Sequence, residues 1–423
     1  MKSVPSAELV ESPYAWLRLM VALLIMTIGG VGMYSVTVVL PQIQAEFDVS
    51  RSEASLPYTL TMIGFGLGGI LMGRLSDRFG VVVPIITGAI GLGAGYIGAS
   101  LVTSIVWFNI LQGLLIGLLG TAATFAPMVA DSSQWFNRRR GIALAICMSG
   151  NYLAGAVWPP IIQHYIDTVG WRTTYQGIGL FCVASMLPLA MMFRRRPPNQ
   201  TLVPKAAVVV HEARFRREIA ASDNHRPLGF SPRVLQNLLC VAGVACCVAM
   251  AMPQVHIVAY CGDLGFGAAR GAEMLALMLG LGIVSRLVSG WISDRIGGLR
   301  TLLLGSVLQG VALLMFLFSS GLVSLYVVSA LFGLFQGGIV PAYALIVREF
   351  FSPKEAGARV GTVLMATLFG MALGGWLSGA LYDLTGSYRA AFLNGIAWNL
   401  LNVSIMVCLL LRAGKAVKVS GNR

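Results

Sequence analysis

One arginine stands where a charge is costly. Arg286 follows the run Leu275-Ala-Leu-Met-Leu-Gly-Leu-Gly-Ile-Val-Ser285 and precedes Leu-Val-Ser-Gly290. That places it a little over one turn past the middle of a stretch long enough to cross a bilayer. A bare cation at this depth costs at least about 2.5–3.5 kcal/mol on insertion scales, so it calls for an anionic partner or a water-filled cavity. All 17 acidic residues map to termini, loops or the edges of apolar runs. A guanidinium presents a planar fork that binds a carboxylate through two parallel hydrogen bonds. The missing counter-ion is therefore expected to be a small organic anion that comes and goes.

Other polar residues in apolar runs are candidates to complete such a site. His256 is the one histidine well inside an apolar run, and it follows Pro253, which loosens a helix. An imidazole titrates in the range of a proton carrier. Tyr34, Asn151, Tyr152, Gln336 and Tyr343 supply hydroxyl and amide groups that would orient a carboxylate or a 2-hydroxyl, although such groups also serve as helix–helix contacts. Asp131 and Asp263, at the ends of their runs, are read as structural.

The elements that must hold these residues are membrane helices. The chain has 423 residues, of which 57% are hydrophobic and 11% charged, against roughly 25% charged in soluble domains. Twelve runs reach the length of about 20 residues that a spanning helix needs: about 17–40, 55–74, 81–101, 104–130, 141–164, 173–193, 234–259, 271–292, 299–319, 322–347, 358–381 and 389–411. The first exceeds the core of a signal peptide and is read as a retained helix. With the amino terminus in the cytoplasm, only Arg51, Arg172, Arg270 and Arg389 fall outside and Arg286 falls within a span. This positive-inside bias absorbs the net charge of +13 without a nucleic-acid partner. The segment 194–233 holds Arg194-Arg195-Arg196 and Pro197-Pro198 but no span. It reads as a cytoplasmic linker, with a short surface helix around 209–220, between a bundle at 1–193 and another at 234–423.

A repeat supports the division. Gly73-Arg-Leu-Ser-Asp77-Arg78-Phe-Gly80 returns half a chain later as Gly290-Trp-Ile-Ser-Asp294-Arg295-Ile-Gly297. Asp167-Thr-Val-Gly170 and Asp383-Leu-Thr-Gly386 follow spans five and eleven, so acidic turns close spans 2, 5, 8 and 11. That spacing is expected of three-helix units paired within each half. In the repeated turn Gly73 is expected to allow close helix approach and Gly80 to relieve the bend. Asp77 is expected to accept from the amino terminus of an adjacent helix. Asp77–Arg78 and Asp294–Arg295 would then form a conformational latch.

The phrase at 73–80, with its partner at 290–297, resembles the loop signature of the major facilitator superfamily, and twelve spans with a central linker match as well. Trp135-Phe136-Asn-Arg138-Arg139-Arg140-Gly141-Ile-Ala143-Leu-Ala145, followed by Gly150 and Gly155, resembles the start of span five in the monocarboxylate porters and their bacterial relatives. Phe47-Asp-Val-Ser50-Arg51-Ser-Glu53 resembles the family's segment between spans one and two. The resemblance implies an all-α membrane protein with twelve transmembrane helices in two pseudo-symmetric six-helix bundles. It also implies a carboxylate-binding Arg in span eight, matched by Arg286. The porters often carry an Asp one turn earlier, where this chain has Gly282, and the acidic, aromatic-rich signature of span one in the animal members is not found.

These readings converge on a secondary transporter of a small organic anion, a monocarboxylate, working by alternating access with proton symport as the preferred coupling. The alternatives are an organic-anion exchanger and a multidrug or solute exporter of the same superfamily. Oxalate–formate-type exchangers use a second cation in span eleven, and Val360 to Leu381 contains none. The seven cysteines show no metal-ligand spacing and no phosphate-cradling Gly-Lys-Ser/Thr sequence occurs. Neither an enzyme nor a cofactor is expected. The expected setting is the bacterial inner membrane, with both termini cytoplasmic.

Overall fold

The computed structural model describes residues 10–136, 139–195, 227–351 and 353–420. The surface helix expected around 209–220, and most of the linker, lie outside them. Twelve helices are long and apolar enough to span a membrane: α1 Pro13–Phe47, α2 Arg51–Phe79, α3 Val82–Leu101, α4 Ile105–Trp135, α5 Gly141–Val169, α6 Trp171–Met191, α7 Pro232–Asp263, α8 Ala268–Ile296, α9 Gly298–Phe318, α10 Leu322–Phe350, α11 Glu355–Thr385 and α12 Tyr388–Ala413. No strand occurs among the described residues. Most helices outrun the apolar stretches because polar caps prolong them. Ser50 and Glu53, for example, form a reciprocal capping box at the start of α2.

Helix ends follow the repeated turns. Gly80, Gly170, Gly297 and Gly386 all take positive φ, between +65° and +83°, and each backbone N–H closes on the carbonyl four residues earlier. A left-handed residue after the last turn ends a helix, and glycine takes that conformation without the Cβ penalty. The Asp-x-x-Gly phrase is thus a helix stop used four times. Gly73 differs from its expected role, since nothing lies within 4 Å of a Cβ placed there.

Packing repeats as the turns do. Within the first half α1 packs on α5, α2 on α4, and α3 on α6; within the second, α7 packs on α11, α8 on α10, and α9 on α12. One apolar core belongs to the first half and another to the second, while a third crosses between them. The two bundles meet through α2 against α11 and α5 against α8, with α1 against α7 between them. These contacts exchange when the halves are interchanged, so a pseudo-twofold relates the bundles. The fold is the expected one: all-α, twelve spans, two six-helix bundles. Twelve crossings put both chain ends on one side, termed here the terminal face; the opposite side is the far face.

Three spans are interrupted. α1 breaks at Gly30, between Pro13–Gly29 and Val31–Phe47. α4 carries a π-helical stretch over Gln112–Thr121. α10 breaks at Gly337–Gly338, between Leu322–Gln336 and Ile339–Phe350. Irregular backbone at membrane depth is tolerated where protein buries it or where it lines a cavity.

Candidate functional site

Arg286 lies at the seam between the bundles. Its Nη1 donates to the carbonyl of Met148 on α5 at 3.1 Å, and its Nε to the carbonyl of Gly337, in the break of α10, at 3.5 Å. The guanidinium carbon sits 4.3 Å from the ring centroid of Tyr152, a geometry in which the aromatic face attracts the cation. Local backbone explains these contacts. A Cβ on Gly337 would lie 2.3 Å from the carbonyl oxygen of Gly282 and 3.0 Å from Ser285 Oγ. Only a glycine lets the α10 break approach α8 so closely and present its carbonyl to the cation.

The arginine is half-buried, and no carboxylate pairs with it among the described residues. Backbone carbonyls take two of the five N–H donors of a guanidinium. The remaining donors and the full positive charge face the seam. Two further groups near this point lack partners. Ser285 Oγ, on the residue before Arg286, and Gln336 Nε2, on the residue before Gly337, are buried without a hydrogen bond. Gln336 Oε1 accepts from Gln254 of α7 at 3.0 Å.

The departure at Gly282 has a physical reason. A Cβ there would fall 2.4 Å from Tyr152 Cε1 and 2.6 Å from Cδ1. The Tyr152 ring occupies the space that an acidic side chain would need, so the aromatic face takes the place of an adjacent carboxylate.

The expected site residues divide into three groups. Tyr34 falls on the side of Arg286 and Tyr152, and Asn151 lies against the α1 break. Tyr34 is in electrostatic reach of both Tyr152 and Arg286, and Asn151 Oδ1 lies 3.3 Å from a Cβ built on Gly30, at the α1 break. Gln336 adjoins Gly337. Tyr343 and His256 lie elsewhere. Tyr343 is fully buried in the core of the second half and donates to Asn402 Oδ1 at 3.0 Å. His256 is also fully buried. It bonds Tyr388 and the carbonyl of Gly375 and shares no partner with Arg286.

The latch residues are exposed on the terminal face. Among the described residues neither Asp77 nor Asp294 makes an ion pair or hydrogen bond. Arg78 lies over Phe79 and Arg295 over Trp291. The capping contact expected of Asp77 is made at the far face by Asp383, whose two oxygens accept from the backbone N–H groups of Arg51 and Ser52 at 2.8 Å each.

Sequence reasoning missed two polar clusters. Arg18 and Asp131, both over nine-tenths buried, form a bidentate pair with two 2.8 Å bonds between α1 and α4. Arg51, Asp263, Asp383 and Tyr388 join across the seam at the far face. Two surface grooves of about 540 and 550 Å³ around Trp158 and Phe181 are apolar and hold none of the candidate residues.

A profile of the Major Facilitator Superfamily matches residues 22–324 and 272–422. The chain is similar to monocarboxylate transporter 13 of Rattus norvegicus, with 27% identity over 84% of this chain and 78% of that one. It is similar to monocarboxylate transporter 11 of Mus musculus, with 26% identity over 85% and 79%. The MFS-type transporter pynF of Aspergillus niger is 26% identical over 74% and 69%. Among solved structures, a bacterial homologue of the human lysosomal transporter Spinster, inward-facing and occupied, superposes with a TM-score of 0.67 at 15% identity, covering 95% of this chain and 96% of that one. That likeness is one of fold.

Proposed function

Because the chain belongs to the major facilitator superfamily, and is thus a multi-pass membrane transporter rather than an enzyme, we propose that its cargo is a small organic anion, a monocarboxylate. The observation that carries this reading is Arg286: a cation at the bundle seam, touching both halves, with no acidic side chain among the described residues to neutralise it. An incoming carboxylate would take the donors the carbonyls leave free. Tyr152, whose ring lies over the guanidinium, and Tyr34, Asn151 and Gln336 would orient it. Relatives named monocarboxylate transporters support the same cargo.

Binding at a point shared by α5, α8 and α10 ties the cargo to the motion of the halves. The bundles, at 1–193 and 234–423 with the linker at 194–233, rock about the seam and expose Arg286 to one face at a time. Among the described residues Asp77 and Asp294 have no partner, and the Asp77–Arg78 and Asp294–Arg295 turns would engage when the terminal face closes. The basic-residue bias supports a cytoplasmic orientation for that face, in what we take to be a bacterial inner membrane. An anion on a lone cation makes a near-neutral complex, and a proton travelling with it sets direction, so the transport is proton symport.

Proteoliposomes offered a panel of radiolabelled carboxylates test this. One acid accumulates under an inward proton gradient, and Arg286→Gln and Arg286→Lys both lose it. Uptake that survives Arg286→Gln refutes the site. Uptake restored by Lys refutes bidentate recognition while leaving a cation site. Accumulation driven only by a second anion inside the vesicles replaces symport with exchange.

A further inference from the structure

The far face is closed by a polar cluster that joins both bundles. Arg51, at the first turn of α2, donates through Nη1 to Tyr388 OH at 2.8 Å and through Nη2 to Asp263 Oδ1 at 3.2 Å. Its guanidinium carbon lies 4.7 Å from the ring centroid of Tyr382. Asp383, at the end of α11, caps the amino terminus of α2 through the N–H groups of Arg51 and Ser52. A carboxylate is stabilised there by the unpaired N–H groups and the helix dipole. One helix of the first half is thereby fastened to α7, α11 and α12 of the second.

His256 sits directly behind this cluster. Its Nε2 is 2.8 Å from the Gly375 carbonyl and its Nδ1 is 3.1 Å from Tyr388 OH. The carbonyl partner fixes one proton position. A carbonyl only accepts, so Nε2 carries hydrogen. Tyr388 OH accepts from Arg51 and has its own hydrogen to give to Nδ1. In the closed far face a fully buried imidazole beside a guanidinium, with no carboxylate bonded to it, stays neutral, and Nδ1 is then the acceptor for the Tyr388 hydroxyl.

We infer that His256 is a proton-binding site whose occupation unfastens the far face. A proton on Nδ1 turns that atom into a donor aimed at a hydroxyl already donating to it. It also sets a second cation against the hydroxyl that holds the Arg51 guanidinium. Among the described residues, the groups around the ring offer it no carboxylate partner. From α2 come Arg51 and Tyr58, the latter against Gly375; from α11, Tyr382 and Asp383, whose oxygens hold the α2 backbone. From α12 come Tyr388 and Arg389, and from α7 itself Tyr260 and Asp263, the acid bound to Arg51. Tyr34 is the tyrosine of α1 in the core that crosses the seam. On α8, Arg270 bonds Glu273, which also accepts from Tyr326. Protonated His256 is relieved only when the seam opens and water reaches it. Acid on the far side thus favours the conformation in which Arg286 faces that side.

The inference rests on the alternating-access reading but not on the cargo, and its test needs no substrate. Spin labels at Thr168 and Leu384, exposed at the far-face ends of α5 and α11, are placed in the full chain with its seven cysteines replaced, in nanodiscs. The pulsed dipolar distance between them is read at neutral pH and at about pH 5. The expected result is one short distance at neutral pH and a longer population that grows in acid, by at most about tenfold per pH unit for one proton. His256→Gln abolishes the response. Tyr388→Phe, which preserves the ring packing, abolishes it too. A wild type blind to pH overturns the inference, as does a response retained in either variant. Loss of carboxylate uptake with the pH response intact would sink the cargo reading alone.

Discussion

Gly282→Ala tests whether Tyr152 holds the cation. A Cβ at residue 282 would sit 2.4 Å from Tyr152 Cε1, about 1 Å inside ordinary carbon–carbon contact. Over-packing of this kind costs about 1–3 kcal/mol, a factor of roughly 5 to 150 in an equilibrium. The ring relieves the overlap by turning off the guanidinium, which forfeits a cation–π contact worth about 0.5–2 kcal/mol. The α5–α8 seam then loosens where Arg286 crosses it. Uptake kcat/KM of the preferred acid should fall at least fivefold, while a protein whose half-cores are intact still folds. The decisive measurement is a double-mutant cycle with Tyr152→Ala. If the collision is the cause, Gly282→Ala adds little on the Tyr152→Ala background, giving a coupling of about 1 kcal/mol or more. Additive losses, or a Gly282→Ala protein with wild-type uptake, would refute the argument that the ring occupies the place of a carboxylate.

Two further outcomes are expected. Arg18→Ala leaves Asp131 buried and unpaired, so it should lower stability by about 3–5 kcal/mol, whereas replacing both residues by apolar ones of similar volume should cost far less; thermal unfolding in detergent distinguishes the two. Tyr343→Phe strands Asn402 Oδ1 in the second-half core and should cost about 1–3 kcal/mol of stability with KM unchanged, since its partner is on α12 and not at the seam; a raised KM with normal stability would return Tyr343 to the substrate site.

Features announced by local pattern were legible in the sequence. Spans follow from apolar run length, and an arginine in such a run is anomalous whatever surrounds it. The Asp-x-x-Gly phrase is legible for the same reason, because a left-handed glycine is a demand of the backbone itself. What failed depended on three-dimensional phase. Gln336 and Tyr343 are seven residues apart, and on one continuous helix they would share a face. The break at Gly337–Gly338 comes between them, and Gln336 bonds Gln254 of α7 while Tyr343 bonds Asn402 of α12. The far-face cluster failed differently. Arg51 and Asp383 are distant in sequence, and each reads as an ordinary turn residue until the halves are docked.

Chemically alike turns do unlike work in one conformation, and this ties the repeat to function. Asp167 and Asp383 occupy equivalent places in the two halves. Asp383 caps α2 across the seam, whereas Asp167 accepts from Gln163 of its own helix at 2.8 Å and leaves α8 to begin at Gly267, with φ of +85°. On the terminal face Asp77 and Asp294 cap nothing among the described residues. A strictly symmetric pair of bundles would fasten both crossings equally at each face. With α2–α11 latched at the far face and the repeated turns free at the other, opening one face need break only a single set of polar contacts. Arg286 then lies on the α5–α8 crossing, which among the described residues carries no acidic latch at either end, so the charge proposed to bind cargo sits at the least encumbered part of the seam.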